Sequence, residues 1–244
     1  MNDSLELQLG YSIWEKVAGN LIKELSFNFI DEIDKVIHNY SGISVILSAS
    51  FSRRRDSLSQ WRAYASDGKG YCIGFRARDI LQLPVYPIKV FYRSKDQYEV
   101  IEKTVRFIFK VTKGDIKHKE FIPLCVYLAV NLASIKHSSF MDEMEIRIIH
   151  LLNLQVTSKD MKLVDSGGFS MGKGVKGQDI NFRFDDYCPI TYQDYDFTIN
   201  NQINPIKEII LGPKNYSIPT GISLFLGTIG INNVNVISSN SPYR

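Results

Sequence analysis

Cysteine is scarce in this chain: Cys72, Cys125 and Cys188 are the whole complement, odd in number and far apart. Such thiols cannot build a disulfide scaffold, and with no secretory signal visible they point to a reducing cytoplasm. No apolar run reaches the roughly 20 residues that a membrane-spanning helix needs, so no membrane partner is expected. The four histidines, His38, His118, His137 and His150, are scattered. None completes a serine-nucleophile triad near a serine, and with the isolated cysteines they form no zinc-binding spacing, so no metal is expected. Charge is nearly balanced at +3, which favours an anionic ligand only slightly and gives no strong indication of nucleic acid.

What is present is an ordinary globular composition, with 44% hydrophobic and 23% charged residues. A chain of 244 residues can bury a sizeable core without metals or disulfides, and residues 1–244 are expected to form a single domain. From Ile13 to Tyr40 apolar residues recur at mostly four-residue spacing, which predicts one amphipathic helix or a pair. A concentrated helical block is expected between 97 and 139, with Pro123 in the first turn of its second helix, where a missing amide hydrogen costs little. Strands are expected around 43–50, 71–75, 88–92, 143–149, 206–211 and 234–238. The first of these, rich in β-branched residues, reads as a buried strand. Together they predict an α+β fold, a curved mixed or mainly antiparallel sheet covered by helices.

Candidate chemistry concentrates in two places. The first is Ser50-Phe51-Ser52 with Arg53, Arg54 and Arg55, followed by Gln60, Trp61 and Tyr64 on a short helix and a turn at Gly68 and Gly70. Its serines can cap a turn or touch a ligand, its arginines can solvate the surface or hold phosphate, and Trp61 with Tyr64 can close the core or form a pocket wall. The second is Glu143-x-Glu145-x-Arg147. A two-residue strand period puts all three on one face, where the glutamates can orient a ribose hydroxyl and stabilise a developing cation, or join Arg147 in a structural ion network. Elsewhere, the lysines and arginines between 103 and 119 read mainly as a solvated helical face. The glycine-rich stretch 167–177 reads as a mobile connection and lacks phosphate-loop spacing. At the end of the chain, Tyr243 can plug a cleft and Arg244 can meet a carboxylate.

These pieces, together with Gly70-Tyr71-Cys72-Ile73-Gly74-Phe75, Ile209-Ile210-Leu211-Gly212-Pro213 and the terminal Ser241-Pro242-Tyr243-Arg244, resemble in order and spacing the bacterial and phage-associated family of unknown function DUF2971. Asn2-Asp3-Ser4-Leu5-Glu6 is similar to that family's Asn-Asp-Pro-x-Glu element. Serine stands where proline is common and the usual upstream segment is absent, which implies a shortened start or a lost piece of the site. The Glu143-x-Glu145 strand also resembles the glutamate-bearing strand of ADP-ribosyltransferases, and Ser50-Phe51-Ser52 their serine-bearing strand. That likeness implies a nucleotide-related enzyme transferring ADP-ribose from NAD, with Glu145 stabilising the transition state, Glu143 orienting the acceptor, and Ser52 and Tyr64 positioning the nucleotide. NAD would then be a substrate, and no cofactor is otherwise implied. The alternative is a noncatalytic ligand-binding or regulatory domain in bacterial defence or phage response, with a protein partner or an anionic ligand. Trp61 and Tyr64 would wall its pocket, Arg53, Arg54 and Arg55 would attract the anion, and Glu145 with Arg147 would hold the pocket together.

Overall fold

The computed structural model describes residues 4–170, 173–197 and 204–243. Two long helices open the chain, α1 (Ser4–Leu25) and α2 (Phe27–Ile43). They are separated at Ser26, whose left-handed φ of 70° breaks the helical path. The four-residue apolar spacing therefore belongs to a helix pair. Trp14, Val17 and Leu21 of α1 face Phe29, Ile33 and Ile37 of α2 in the main core. Asp34 ties the two together by accepting from the Trp14 indole at 2.7 Å and the Tyr11 hydroxyl at 2.8 Å. Helices α5 (Ser94–Thr112) and α6 (Phe121–Leu132) complete this layer through Ile101, Val105, Ile108, Cys125 and Leu128. Each such side chain contributes about 1.5–3 kcal/mol on burial. Burial also pushes the Cys125 thiol up to about 12, as expected of an inert core thiol.

The helical layer covers one face of a sheet formed by β1 (Ser44–Ser52), β3 (Tyr86–Lys89), β4 (Glu145–Val156) and β5 (Met161–Val164). β4 is central, with antiparallel neighbours β1, β3 and β5. The first strand, expected to be buried, is instead an edge strand, and none of its residues is fully buried. Its register sets Ser50 opposite Arg147 and Ser52 opposite Glu145. These four therefore share the helix-facing side, while Phe51, Ile146 and Ile148 share the other.

A second sheet joins β2 (Tyr71–Phe75), β10 (Ile206–Leu211) and β11 (Asn235–Ser238), with β10 and β11 parallel. Along the chain α3 (Leu58–Tyr64) connects β1 to β2, α4 (Ala77–Ile80) connects β2 to β3, and α7 (Pro219–Thr228) precedes β11. Two small antiparallel pairs complete the fold: β6 (Gly168–Ser170) with β7 (Lys173–Val175), and β8 (Asn181–Asp185) with β9 (Cys188–Tyr192). The class is α+β as expected, with the strands among the described residues divided among four sheets rather than one. The 167–177 stretch, expected as a plain connection, contains the β6–β7 pair; Met171 and Gly172 fall outside the described residues, as do Asn2, Asp3 and Arg244.

Candidate functional site

The chain turns sharply just before β4, and this turn builds the polar cluster. A 3-10 helix at Ser138–Glu143 ends at Met144, whose φ of 45° is left-handed. Glu143 therefore precedes the strand, which begins at Glu145, and the expected strand through 143 is corrected to one from 145. Glu143 reaches the same cluster through the turn. Lys136 Nζ donates to Glu143 at 2.6 Å and to Glu145 at 3.0 Å, and lies 3.4 Å from Glu6.

Glu145 and Arg147 are nearly sealed, at 4% and 3% exposure. Oε1 of Glu145 accepts from Arg147 Nε at 2.7 Å and from the Ser50 hydroxyl, and Oε2 accepts from Arg147 Nη2 at 3.2 Å and from Lys136. A carboxylate has about four acceptor positions, so those of Glu145 are filled. Burial by itself would raise its carboxyl, but the hydrogen bonds from Arg147, Ser50 and Lys136 outweigh it and hold the group at about 2. Arg147 also donates to Glu6 at 2.7 Å and to the Ala133 carbonyl at 2.6 Å, and its guanidinium is held charged by these partners against the cost of burial. Lys136 is likewise raised by Glu143 and Glu145 despite burial. The Glu145 amide donates to the Tyr92 hydroxyl at 2.9 Å.

Glu143 differs from Glu145. One of its oxygens accepts from the Tyr64 hydroxyl at 2.7 Å and the other from Lys136, which leaves about half its acceptor capacity unused. The hydrogen bond to Glu143 raises the Tyr64 phenol. Three carboxylates, Glu6, Glu143 and Glu145, meet two cations, Lys136 and Arg147.

A cleft of about 830 Å³ takes Phe51, Ile146 and Ile148 of the opposite face of the β1–β4 pair into its lining. Ser50, Ser52, Arg53, Gln60, Trp61 and Tyr64, the six ligand-contact candidates from the first stretch, all line it, whereas Glu143, Glu145 and Arg147 do not. Its floor includes Phe51, Phe75, Ile80, Ile146 and Ile148, and Tyr71 stands at its side. Ser52 is held locally, its hydroxyl donating to the Glu143 carbonyl at 2.6 Å and accepting from the Arg54 amide at 2.9 Å. Arg54 lies 3.4 Å from Asp142 and Arg55 2.6 Å from Glu208. Arg53 has no carboxylate partner among the described residues. Tyr64, 67% exposed, lines the cleft and bonds to the Glu143 carboxylate, as Ser50 lines it and bonds to that of Glu145.

The wall carrying α3 is fixed by Asp56, which accepts from the Trp61 indole at 2.5 Å, Ser239 at 2.7 Å, Ser241 at 2.8 Å and the Asn240 amide at 2.9 Å. Those bonds outweigh burial and lower the Asp56 carboxyl. Beyond them, the Tyr243 ring lies under Lys214 and Arg62, and its hydroxyl bonds to Asp67. Tyr243 thus packs on the turn after α3. Gly212 is required there, since a Cβ would fall 2.3 Å from the Gly68 carbonyl oxygen.

Sequence reasoning missed Lys136, Tyr92 and Asp56 as members of these arrangements. Glu6 had a signal, because it ends the Asn-Asp-Ser-Leu-Glu element of the resemblance. Lys136 had only its position after an apolar helix. No curated protein and no solved structure matches the chain. Residues 60–148 match the family model of DUF2971, described as a protein of unknown function, a stretch running from Gln60 of α3 through Glu143, Glu145 and Arg147.

Proposed function

We propose that the protein is a binding domain for an anionic ligand that carries a planar ring, a nucleotide being the concrete case, seated in the cleft between β1, α3 and β2. The observation that carries this reading is Arg53, a guanidinium with no carboxylate partner among the described residues, in a roomy cavity whose lining is otherwise largely aromatic and aliphatic. A guanidinium can grip phosphate or carboxylate in a two-point contact, and rings such as Tyr71 and Phe75 offer a face to a base. Glu145 and Arg147 then hold the wall together. Its setting is regulation in bacterial defence or phage response, the association that the family resemblance carries. Titration calorimetry with ADP-ribose and NAD tests it: micromolar binding is expected, weakened about tenfold in Arg53→Gln, the loss of one charge-assisted hydrogen bond. Equal affinity of the variant would remove the reading.

ADP-ribosyl transfer from NAD is the second reading, favoured by the convergence of Ser50, Tyr64, Glu143 and Glu145 in one hydrogen-bonded cluster. With Glu145 saturated, Glu143 is the carboxylate with spare capacity beside Tyr64, and a ribose hydroxyl would meet it first. Labelled NAD with protein and nucleic-acid acceptors distinguishes the readings. Transfer or cleavage abolished in Glu143→Gln supports the enzyme; binding without turnover supports the regulatory domain.

A further inference from the structure

Residues of β1 and of the β8–β9 pair line two cavities, one of about 1050 Å³ and one of about 390 Å³. Two charges of opposite sign meet in the lining of the smaller one. Arg183 and Asp185 are alternate residues of β8, so they belong to one face of the strand, and both line this cavity. Each is exposed, and among the described residues neither has an ion-pair partner, nor do they pair with each other. The Arg183 guanidinium lies 6.0 Å from the centre of the Tyr192 ring, which lines the same cavity.

The buried part of the lining makes no polar demand. Val85 and Ile148 are buried, and Ile190 stands opposite Arg183 in the β8–β9 register. His150, 4% exposed, has both ring nitrogens engaged, Nδ1 with the Pro84 carbonyl at 3.1 Å and Nε2 with Asp165 at 2.9 Å. Tyr195 meets that ring edge-on, 5.9 Å between centres, and donates its hydroxyl to Gln193 at 3.2 Å. His150 and Tyr195 therefore offer the cavity ring surface rather than free hydrogen-bonding atoms.

A ligand complementary to this lining carries one anionic group, one cationic group and an apolar body. A lone anion would face Asp185 unpaired, and a lone cation would face Arg183. We propose that the cavity binds a zwitterionic small molecule, an α-amino acid with an apolar side chain. Its carboxylate would meet Arg183 and its ammonium Asp185, with the side chain against Val85, Ile148 and Ile190 and the rings of His150 and Tyr195. Alternate residues of a strand stand roughly 7 Å apart, so the two charged groups on one α-carbon fit between them. At about 390 Å³ the cavity lies at the small end of ligand sites, which suits a single amino acid. The site is independent of the cleft beside Arg53.

Titration calorimetry of the full chain with L-leucine, L-methionine and L-phenylalanine tests it, beside the N-acetyl derivative of each, which lacks the ammonium, and the amide of each, which lacks the carboxylate. At least one amino acid is expected to bind, with its two derivatives weaker by about tenfold or more, the loss of one charge-assisted contact. Arg183→Gln should abolish the discrimination between parent and amide, and Asp185→Asn that between parent and N-acetyl derivative. Both residues are exposed, and circular dichroism confirms that each variant is folded. Arg53→Gln should leave amino acid binding unchanged. No binding of any of the three at about 10 mM, where even a millimolar site would be filled, would overturn the proposal. An N-acetyl derivative as tight as its parent would overturn it in favour of a plain carboxylate site. Binding indifferent to both β8 variants, or lost in Arg53→Gln, would put the ligand elsewhere and overturn it as well.

Discussion

Glu145 and Arg147 illustrate how one sequence pattern supports opposite roles. Their spacing puts both on one face of β4, and both sit there, but that face looks into the helical layer rather than the cleft. Strand period specifies which residues share a face; it carries no information on whether the face is open. Removing one partner of a buried ion pair leaves the other uncompensated, at a cost of about 3–5 kcal/mol. Arg147→Leu is accordingly expected to destabilise the fold by that amount, measured by urea unfolding. A loss below about 1 kcal/mol would show that the pair is not structural. Lys136 was not legible as a member of the cluster, because only the left-handed Met144 brings Glu143 round to it.

At the scale of elements, the C-terminal strap after β11 holds α3 through Asp56. Asp56→Ala strands the buried Trp61 indole N–H and frees Ser239 and Ser241, so a destabilisation of about 1–3 kcal/mol and a shifted Trp61 emission are expected. Unchanged emission and stability would show that the strap does not position the wall. The long helices, β1, β2, β4, β10 and β11 were readable from period and turn residues. The pairs β6–β7 and β8–β9 were not, since their strands have three to five residues and rest on local turns such as Asp186, with φ of 50°. That Cys188–Tyr192 line cavities together with β1 is a tertiary feature with no local signature.

For the whole molecule, acid is the condition to which the polar interior responds. Glu145 lies at about 2 against an ordinary 4.5. Asp165, also burdened by burial, is held at about 2 against 3.8 by Gln178, Gln193, His150 and Gly167. A lowered carboxyl contributes stability above its ordinary value and loses it as pH falls through the folded value. Stability should therefore decline between about pH 4.5 and pH 2, and less steeply in Glu145→Gln. A wild-type urea midpoint that stays constant over that window would contradict the network. Among the described residues no helix is long and apolar enough to cross a membrane.

The central claim, a ligand cleft beside Arg53 with a buried ion network behind its wall, is tested most directly by hydrogen exchange of the full chain with and without ADP-ribose. Protection is expected in residues 52–55 and 71–75, which line the cleft, and should disappear in Arg53→Gln. Absence of protection there, or protection confined to other segments, would contradict the account.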